Sequence, residues 1–290
     1  FRSPKILYSH YAYVTSTSKT MDAHLNNLMT HLLSSGRLGA GSKVLEIASN
    51  TGVFLKKFKE QGCEVLGIEP AGNIADVALA TAIPTRKEFF NSETAKKLRS
   101  EWGAADLIMG RHVFAHIDDL KDLVAGLETI SHENTLVAFE VPYAVDFFEH
   151  TEYDTIYHEH LSYISAAAIE ALVKDTAFML ARIEHYPIHG GSVLFHLRRR
   201  SAKIEPHTSV AAALQNEKNL KLAEPATWAN FAQRVNYIRT ELPTLLRKLK
   251  AEGKRVIGYG ASAKGNTLLN TCGLSAKELD YIIDNTPFKQ

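Results

Sequence analysis

The thirteen residues Tyr153 to Ser165, Tyr-Asp-Thr-Ile-Tyr-His-Glu-His-Leu-Ser-Tyr-Ile-Ser, hold three tyrosines, two histidines and two acids among only three large aliphatics. Neither strand alternation nor a helical apolar stripe fits them, so the stretch reads as a loop, and loops on a rigid scaffold are where functional groups gather. Tyr157, His158, Glu159 and His160 are consecutive. Together they supply a proton acceptor near neutral pH, a carboxylate to orient it and a phenol to donate a hydrogen bond. The competing reading is a surface loop rich in Tyr and His. The elements on either side decide between the two.

Ser42 to Ala48 reads as a strand of buried type, followed by Ser49-Asn-Thr-Gly52 and a helix from Val53 to Gln61. A second strand, Glu64 to Glu69, is ended by Pro70. The unit places an acid at the end of its second strand, where an adenosine ribose presents its hydroxyls. Its loop lacks Gly-x-Gly-x-x-Gly, which disfavours a dinucleotide pyrophosphate. A strand carrying Glu46 and a loop closing at Gly52 suit a nucleoside without phosphates, the form presented by S-adenosylmethionine.

The alternation continues through a helix over 73–82, the segment Ile83-Pro-Thr-Arg86 leading to Phe89-Phe-Asn91, and a helix from Ser92, the expected N-cap, to Trp102. A strand over 105–109, a helix over 120–130 and a strand over 135–141 follow, with Pro142 as the stop. After the Tyr/His loop come a helix over 166–174 and a strand pair, 178–185 and 193–198, across His189-Gly-Gly-Ser192. Five βα units closed by an antiparallel pair predict a Rossmann-like class I methyltransferase sheet. The Tyr157–His160 loop then leaves the carboxyl end of the fifth strand, where ligands sit in open α/β sheets. Ahead of the first strand, Met21 to Leu38 predicts a helix with Leu25, Leu28, Met29, Leu32 and Leu33 on one face. Residues 1–20, with Tyr8, His10, Tyr11 and Tyr13, suit a lid over a site.

Residues 199–208 read as a polar linker, and 211–250 as mostly helical, broken near Pro225 and Pro243. From Lys254 to Leu269 the pattern is strand, glycine turn and helix start; Gly258, Gly260 and Ala263 meet the Gly-x-Gly-x-x-Gly/Ala spacing, with Lys264 beside them. Amides at such a helix start can hold a pyrophosphate. A final strand, Leu279 to Ile283, ends at Asp284. Two strands do not make a stable sheet, so this second Rossmann-like α/β domain is expected to be incomplete, with further C-terminal residues or a partner completing its edge. The expected organisation is a methyltransferase domain over 1–200 and a helical linker with the second domain over 201–290.

The totals bound the partners. A chain of 290 residues, 45% hydrophobic and 22% charged, is ordinary for a globular protein, and a net charge of +1 provides no field for nucleic acid. Cys63 and Cys272 stand far apart without a Cys-x-x-Cys, which fits a reducing compartment. No apolar run approaches the ~18 residues of a membrane span, and no signal peptide is apparent, so a cytoplasmic location is expected. His24, His31, His132 and His207 are expected at the surface, and Arg198–Arg200 at a solvated strand end.

Five segments occur in order: Val44-Leu-Glu-Ile-Ala-Ser-Asn-Thr-Gly52, Gly67-Ile-Glu-Pro-Ala-Gly-Asn-Ile-Ala75, Tyr157-His-Glu-His-Leu161, His189-Gly-Gly-Ser192 and Gly258-Tyr-Gly-Ala-Ser-Ala-Lys-Gly-Asn-Thr267. Jointly they resemble the S-adenosylmethionine-dependent sugar C-methyltransferases, which include nucleotide-sugar C-3 methyltransferases of deoxysugar pathways. That family usually adds an N-terminal zinc domain, for which this chain has no cysteine set, and extends past Ile-Asp-Asn-Thr-Pro-Phe-Lys-Gln, so the chain is expected to be the core of a longer protein. The resemblance implies His160 as the base that removes a proton beside a sugar ketone, with Tyr157, Glu159 and His116 around it. It implies that Glu69, followed by Pro70, binds ribose, that Glu46, Ala48, Asn50 and Gly52 hold the methionine portion, and that Phe90 and Asn91 lie near adenine. Tyr11, Tyr13, His158, Gly190, Gly191 and Ser192 would face the sugar. Gly258, Tyr259, Gly260, Lys264 and Asn266 would hold the nucleotide diphosphate. S-adenosylhomocysteine would be the product, and no metal is needed because the cofactor brings its own leaving group. The rivals are an O- or N-methyltransferase on the same fold, an NAD-dependent oxidoreductase using Gly258–Ala263, and a non-catalytic nucleotide-sugar-binding module.

Overall fold

A computed structural model describes residues 4–8, 11, 18–34 and 38–284. Two helices, α1 (Pro4–Leu7) and α2 (Lys19–Ser34), precede the alternating part: β1 (Lys43–Ile47), α3 (Val53–Glu60), β2 (Glu64–Ile68), α4 (Gly72–Ala80), β3 (Thr85–Arg86), α5 (Ser92–Glu101), β4 (Ala105–Arg111), α6 (Leu120–Ile130) and β5 (Ser131–Pro142). Then come α7 (Ala144–Glu149), α8 (Ala166–Val173), β6 (Phe178–Tyr186) and β7 (Ser192–Arg199). The last third holds α9 (Thr208–Asn219), α10 (Pro225–Ala251), β8 (Gly258–Tyr259), α11 (Ala263–Thr271) and β9 (Ile282–Ile283).

The main sheet has the order β3-β2-β1-β4-β5-β7-β6. Its first five strands are parallel, and β7 runs antiparallel between β5 and β6. Period-2 alternation divides the core. Leu107 and Met109 of β4 face one layer with α2 and α3, whereas Ile108 faces the other with α5, α6 and α8. Both faces are therefore covered, as a parallel sheet requires.

Local chemistry explains most helix starts. Asp119 caps α6 by accepting from Asp122 N, and Ser165 caps α8 by accepting from Ala168 N. At α5 the cap is Asn91 rather than Ser92: Asn91 is extended, at φ −154° and ψ 179°, and its side chain accepts from Thr94 N. The third strand is only two residues long. Pro243 does not break α10, a helix of 27 residues that carries it in its interior.

The polar stretch after β7 is not a free linker. Residues Arg200–Ala202 form a 3-10 turn, His207 N donates to Ala181 O at 2.7 Å, and α9 packs on β6 and α8. Buried Glu217 of α9 accepts from Tyr143 Oη at 2.7 Å and from the amides of Ala166 and Ala167 at 2.6 and 3.0 Å, so it caps the start of α8. The remaining segment docks through α10 and α11. Phe231 stacks on Phe147 with ring centres 4.9 Å apart, Arg234 donates to the carbonyls of Phe148 and Glu149, and Cys272 meets Tyr153. The parallel pair β8–β9 is the only sheet in this segment among the described residues.

Candidate active site

At the carboxyl end of β1 the backbone turns sharply. Ala48 and Asn50 lie in the left-handed region, at φ 54° and 50°, and Gly52 at φ 74°. A Cβ on Gly52 would stand 2.9 Å from Ile83, so this position needs glycine for space as well as for φ. The strain at two non-glycine residues holds the loop in one shape over the sheet edge. Glu69, at the end of β2, ties it down: Oε2 accepts from Asn50 N and Oε1 from Ala71 N, both at 2.9 Å. Burial raises the Glu69 carboxyl, and these two amides pull it back. Pro70 directly follows and α4 begins at Gly72.

Glu46 lies beneath the loop. Its Oε1 accepts from Arg111 Nε at 3.0 Å, and its side chain is 1% exposed. The Arg111 guanidinium also lies 4.8 Å from the Phe54 ring centre. Burial pushes the Glu46 carboxyl up to about 7 against the pull of Arg111. Oε2 of Glu46 is buried with no partner among the described residues, an atom that wants a donor. Phe90 is buried against Gly126, and Asn91 Oδ1 caps α5.

This edge fits S-adenosylmethionine. It offers an orphaned carboxylate oxygen for an ammonium donor and a second carboxylate that keeps lone pairs for ribose hydroxyls, and Ser49–Gly52 lacks the glycine spacing that brings backbone amides to a pyrophosphate.

The second cluster lies where the loops after β4 and β5 meet, joined by Leu161 N donating to Ala115 O at 2.7 Å. A 3-10 turn, Phe114–His116, presents His116; another, Tyr153–Thr155, leads into the Tyr157–His160 turn. The His160 and His116 rings meet edge-on at 5.1 Å, and Tyr157 lies against His160 at 4.2 Å. Nδ1 of His160 is 2.8 Å from the Thr155 carbonyl. A carbonyl only accepts, so Nδ1 carries the ring proton and Nε2 keeps its lone pair. Burial lowers His160 to about 4, helped by His116 and opposed by the Thr155 carbonyl and Glu159. Burial also lowers His116. Tyr11 donates to Glu159 Oε2 at 2.9 Å, and its backbone pairs with the Asn73 amide on α4. The structure thus brings Tyr11, His116, Tyr157, Glu159 and His160 together. His158 is exposed, and Tyr13 lies outside the described residues.

The turn between β6 and β7 closes this side. Gly190 and Gly191 have φ of 92° and 132°, and Cβ atoms there would stand 1.7 Å from the Glu152 carboxylate and 2.3 Å from that of Asp146. Two glycines let both carboxylates approach the backbone. Asp146 is anchored by His185 Nε2 at 2.8 Å. Ser192 is buried and donates to Ile188 O at 3.1 Å. Lys264 reaches this turn from the start of α11, 3.3 Å from His189 O and 3.8 Å from Glu152 Oε2.

The second glycine loop is partly self-satisfied. Gly260 has φ 100° and its amide donates to Ile283 O, while Ala261 N donates to Asp284 Oδ2 at 2.7 Å. Gly258 packs on Ile282, Tyr259 is 76% exposed, and Asn266 bonds to Asn270 one turn on.

Sequence reasoning misplaced His24. It is buried, with Nε2 2.6 Å from Glu140 Oε1, and Glu140 Oε2 lies 3.8 Å from His112. The available signal was its place three residues after Met21, on the apolar face of α2. Arg198, expected in solvent, is also buried. The partners of the key groups, Thr155 O above all, are backbone atoms with no sequence signature.

Comparison with known proteins is consistent with this geometry. A methyltransferase-domain family matches residues 21–181, and a family described as the C-methyltransferase C-terminal domain matches residues 187–290. The C-methyltransferase NovU of Streptomyces niveus is 34% identical over 287 residues, covering 99% of this chain and 68% of the relative. Among solved structures, the PH0226 protein from Pyrococcus horikoshii OT3 shares the fold, with TM-score 0.50, 12% identity, 65% of this chain and 95% of that chain. Magnesium protoporphyrin IX methyltransferase of Synechocystis PCC 6803, solved with bound SAH, matches with TM-score 0.48 and 14% identity over 61% of this chain and 82% of that chain. No helix among the described residues is long and apolar enough to cross a membrane. A transferase rather than an oxidoreductase is therefore at hand, with S-adenosylmethionine as cofactor: the chain belongs to the S-adenosylmethionine-dependent C-methyltransferases.

Proposed function

We propose that the protein methylates a carbon beside the ketone of a nucleotide-linked 4-keto-6-deoxysugar, with His160 as the base. The observation that carries this reading is the state of His160: Nδ1 is committed to the Thr155 carbonyl, Nε2 is left as an acceptor, and the ring is neutral at pH 7 because burial lowers it to about 4. Carbon methylation requires a carbanion equivalent. His160 Nε2 takes the proton alpha to the ketone, and the electron pair of that C–H bond moves to the ketone oxygen as an enolate. Such a proton is removable only if the enolate oxygen is stabilised, the role assigned to the Tyr157 phenol beside His160. The cofactor, when bound, supplies an electrophilic methyl on a sulfonium. Glu69 is assigned to its ribose hydroxyls, and Glu46 with the Ala48–Gly52 backbone to its methionine portion. Phe90 and Asn91 are assigned to the border of the adenine.

Tyr11, Gly190, Gly191 and Ser192 border the acceptor, and the nucleotide diphosphate is assigned to Gly258–Asn266. Seating it there requires Lys264 to exchange Glu152 for phosphate and Ala261 N to leave Asp284. Carbon rather than oxygen as the acceptor atom is supported by the relative, a C-methyltransferase. The base assignment is tested with His160→Ala. The variant is expected to bind S-adenosylhomocysteine and the nucleotide sugar in calorimetry while transfer falls by about 10²–10⁴-fold. Near-full transfer with both ligands bound would refute it.

A further inference from the structure

Tyr8 belongs to none of the motifs above, yet its hydroxyl lies 2.9 Å from His116 Nδ1, with the two rings edge-on at 5.9 Å and 88°. It is also packed edge-on against Tyr11, 5.3 Å between ring centres, and Tyr11 in turn donates to Glu159. From this geometry we infer that Tyr8 is a positioning residue, donating to His116 Nδ1 and so holding the His116 proton on Nε2. The inference rests on the reaction proposed above only for its effect on rate.

Burial lowers the His116 ring and so keeps it neutral, while the backbone at Glu159 and His112 opposes that shift, as carbonyls facing a ring N–H do. A neutral imidazole has one N–H and one lone pair, and carbonyls can only accept. With the N–H given to a carbonyl, the remaining lone pair needs a donor. Tyr8 is that donor: burial, with Glu159 and Tyr157 adding to it, raises its phenol above the ordinary range, so it keeps its proton.

The consequence is a division of labour between two rings 5.1 Å apart. His116 has both nitrogens engaged by the protein and serves as an oriented wall. Of the two rings, His160 is the one whose basic nitrogen has no hydrogen-bond partner among the described residues. The residue that distinguishes them, Tyr8, stands three positions before Tyr11, so two contacts to the catalytic loops come from one short stretch.

The test compares the parent with Tyr8→Phe by long-range ¹H–¹⁵N spectra of histidine ring nitrogens, together with steady-state kinetics. The parent is expected to show His116 as a single Nε2–H tautomer. Tyr8→Phe keeps the ring and should give a mixture of tautomers, with kcat lowered about tenfold and KM for S-adenosylmethionine within about twofold. A parent His116 already protonated on Nδ1, or a Tyr8→Phe variant with unchanged tautomer and kcat, would overturn the inference. His116→Gln, whose amide nitrogen can stand where Nε2–H stood, should retain more activity than His116→Leu; equal loss in both would also count against it. The tautomer spectra need no sugar acceptor. A tautomer shift in a protein that methylates no sugar would uphold Tyr8's role while refuting the proposed reaction.

Discussion

Acidification should spare His160 far longer than an ordinary histidine. Its ring is lowered to about 4 because it is withdrawn from water beside His116, with only the Thr155 carbonyl and Glu159 opposing. At about pH 5.5, a group with that value is about 97% neutral, whereas an unperturbed histidine near 6.5 is about 9% neutral, roughly a tenfold difference in active base. The acid limb of kcat/KM in the free enzyme should therefore fall near 4 rather than near 6.5. The sign for stability is the same as that of a salt-bridged carboxylate, because in both cases the folded chain holds the proton less tightly than the unfolded chain. Between about 6.5 and about 4 the unfolded chain binds a proton that the folded chain refuses, so stability falls as pH falls through this window. The separation corresponds to roughly 3 kcal/mol before screening, and about 1–2 kcal/mol for a ring only partly withdrawn from water. The assay is initial-rate methyl transfer from about pH 4 to 8, with urea unfolding at each pH to separate loss of base from loss of fold. An acid limb near 6.5 in protein still folded would refute the reasoning.

Other outcomes follow from single contacts. Gly191→Ala places a Cβ 2.3 Å from the Asp146 carboxyl at φ 132°, and Asp146 is held by His185; the cost should be about 2–4 kcal/mol in urea unfolding, more than for Gly190→Ala, where the obstacle is the movable end of Glu152. Glu217→Ala leaves Tyr143 Oη and two amides at the start of α8 without their acceptor. It should destabilise by about 3 kcal/mol, and equal stability would show that α9 is not integral to the first sheet's layer.

Much of the fold was legible because parallel strands buried on both faces leave unmistakable apolar runs, as in Val44–Ile47 and Leu107–Met109. The antiparallel closure was legible from the glycine pair between two such runs. Less visible was anything decided by tertiary partners. The place of His24 on the apolar face of α2 pointed inward, but its partner Glu140 lies 116 residues on, and α9 looked like part of a linker because Glu217 finds its partners 50 or more residues away in sequence. Pro243 promised a break that did not occur, since one lost backbone bond does not end a helix of 27 residues. For the candidate site, side-chain identities were legible in Tyr157–His160 and in the Glu46–Glu69 unit. Their chemical states were not. Those depend on backbone atoms such as Thr155 O and Asn50 N, whose positions only the folded chain defines.

The most direct test is transfer of a ¹³C-labelled methyl from S-adenosylmethionine to a panel of nucleotide-linked 4-keto-6-deoxysugars, read by NMR of the product. A new methyl bonded to a sugar carbon beside the ketone is the predicted result. A methoxy signal, or no transfer by protein that binds both S-adenosylhomocysteine and the sugar, would contradict it.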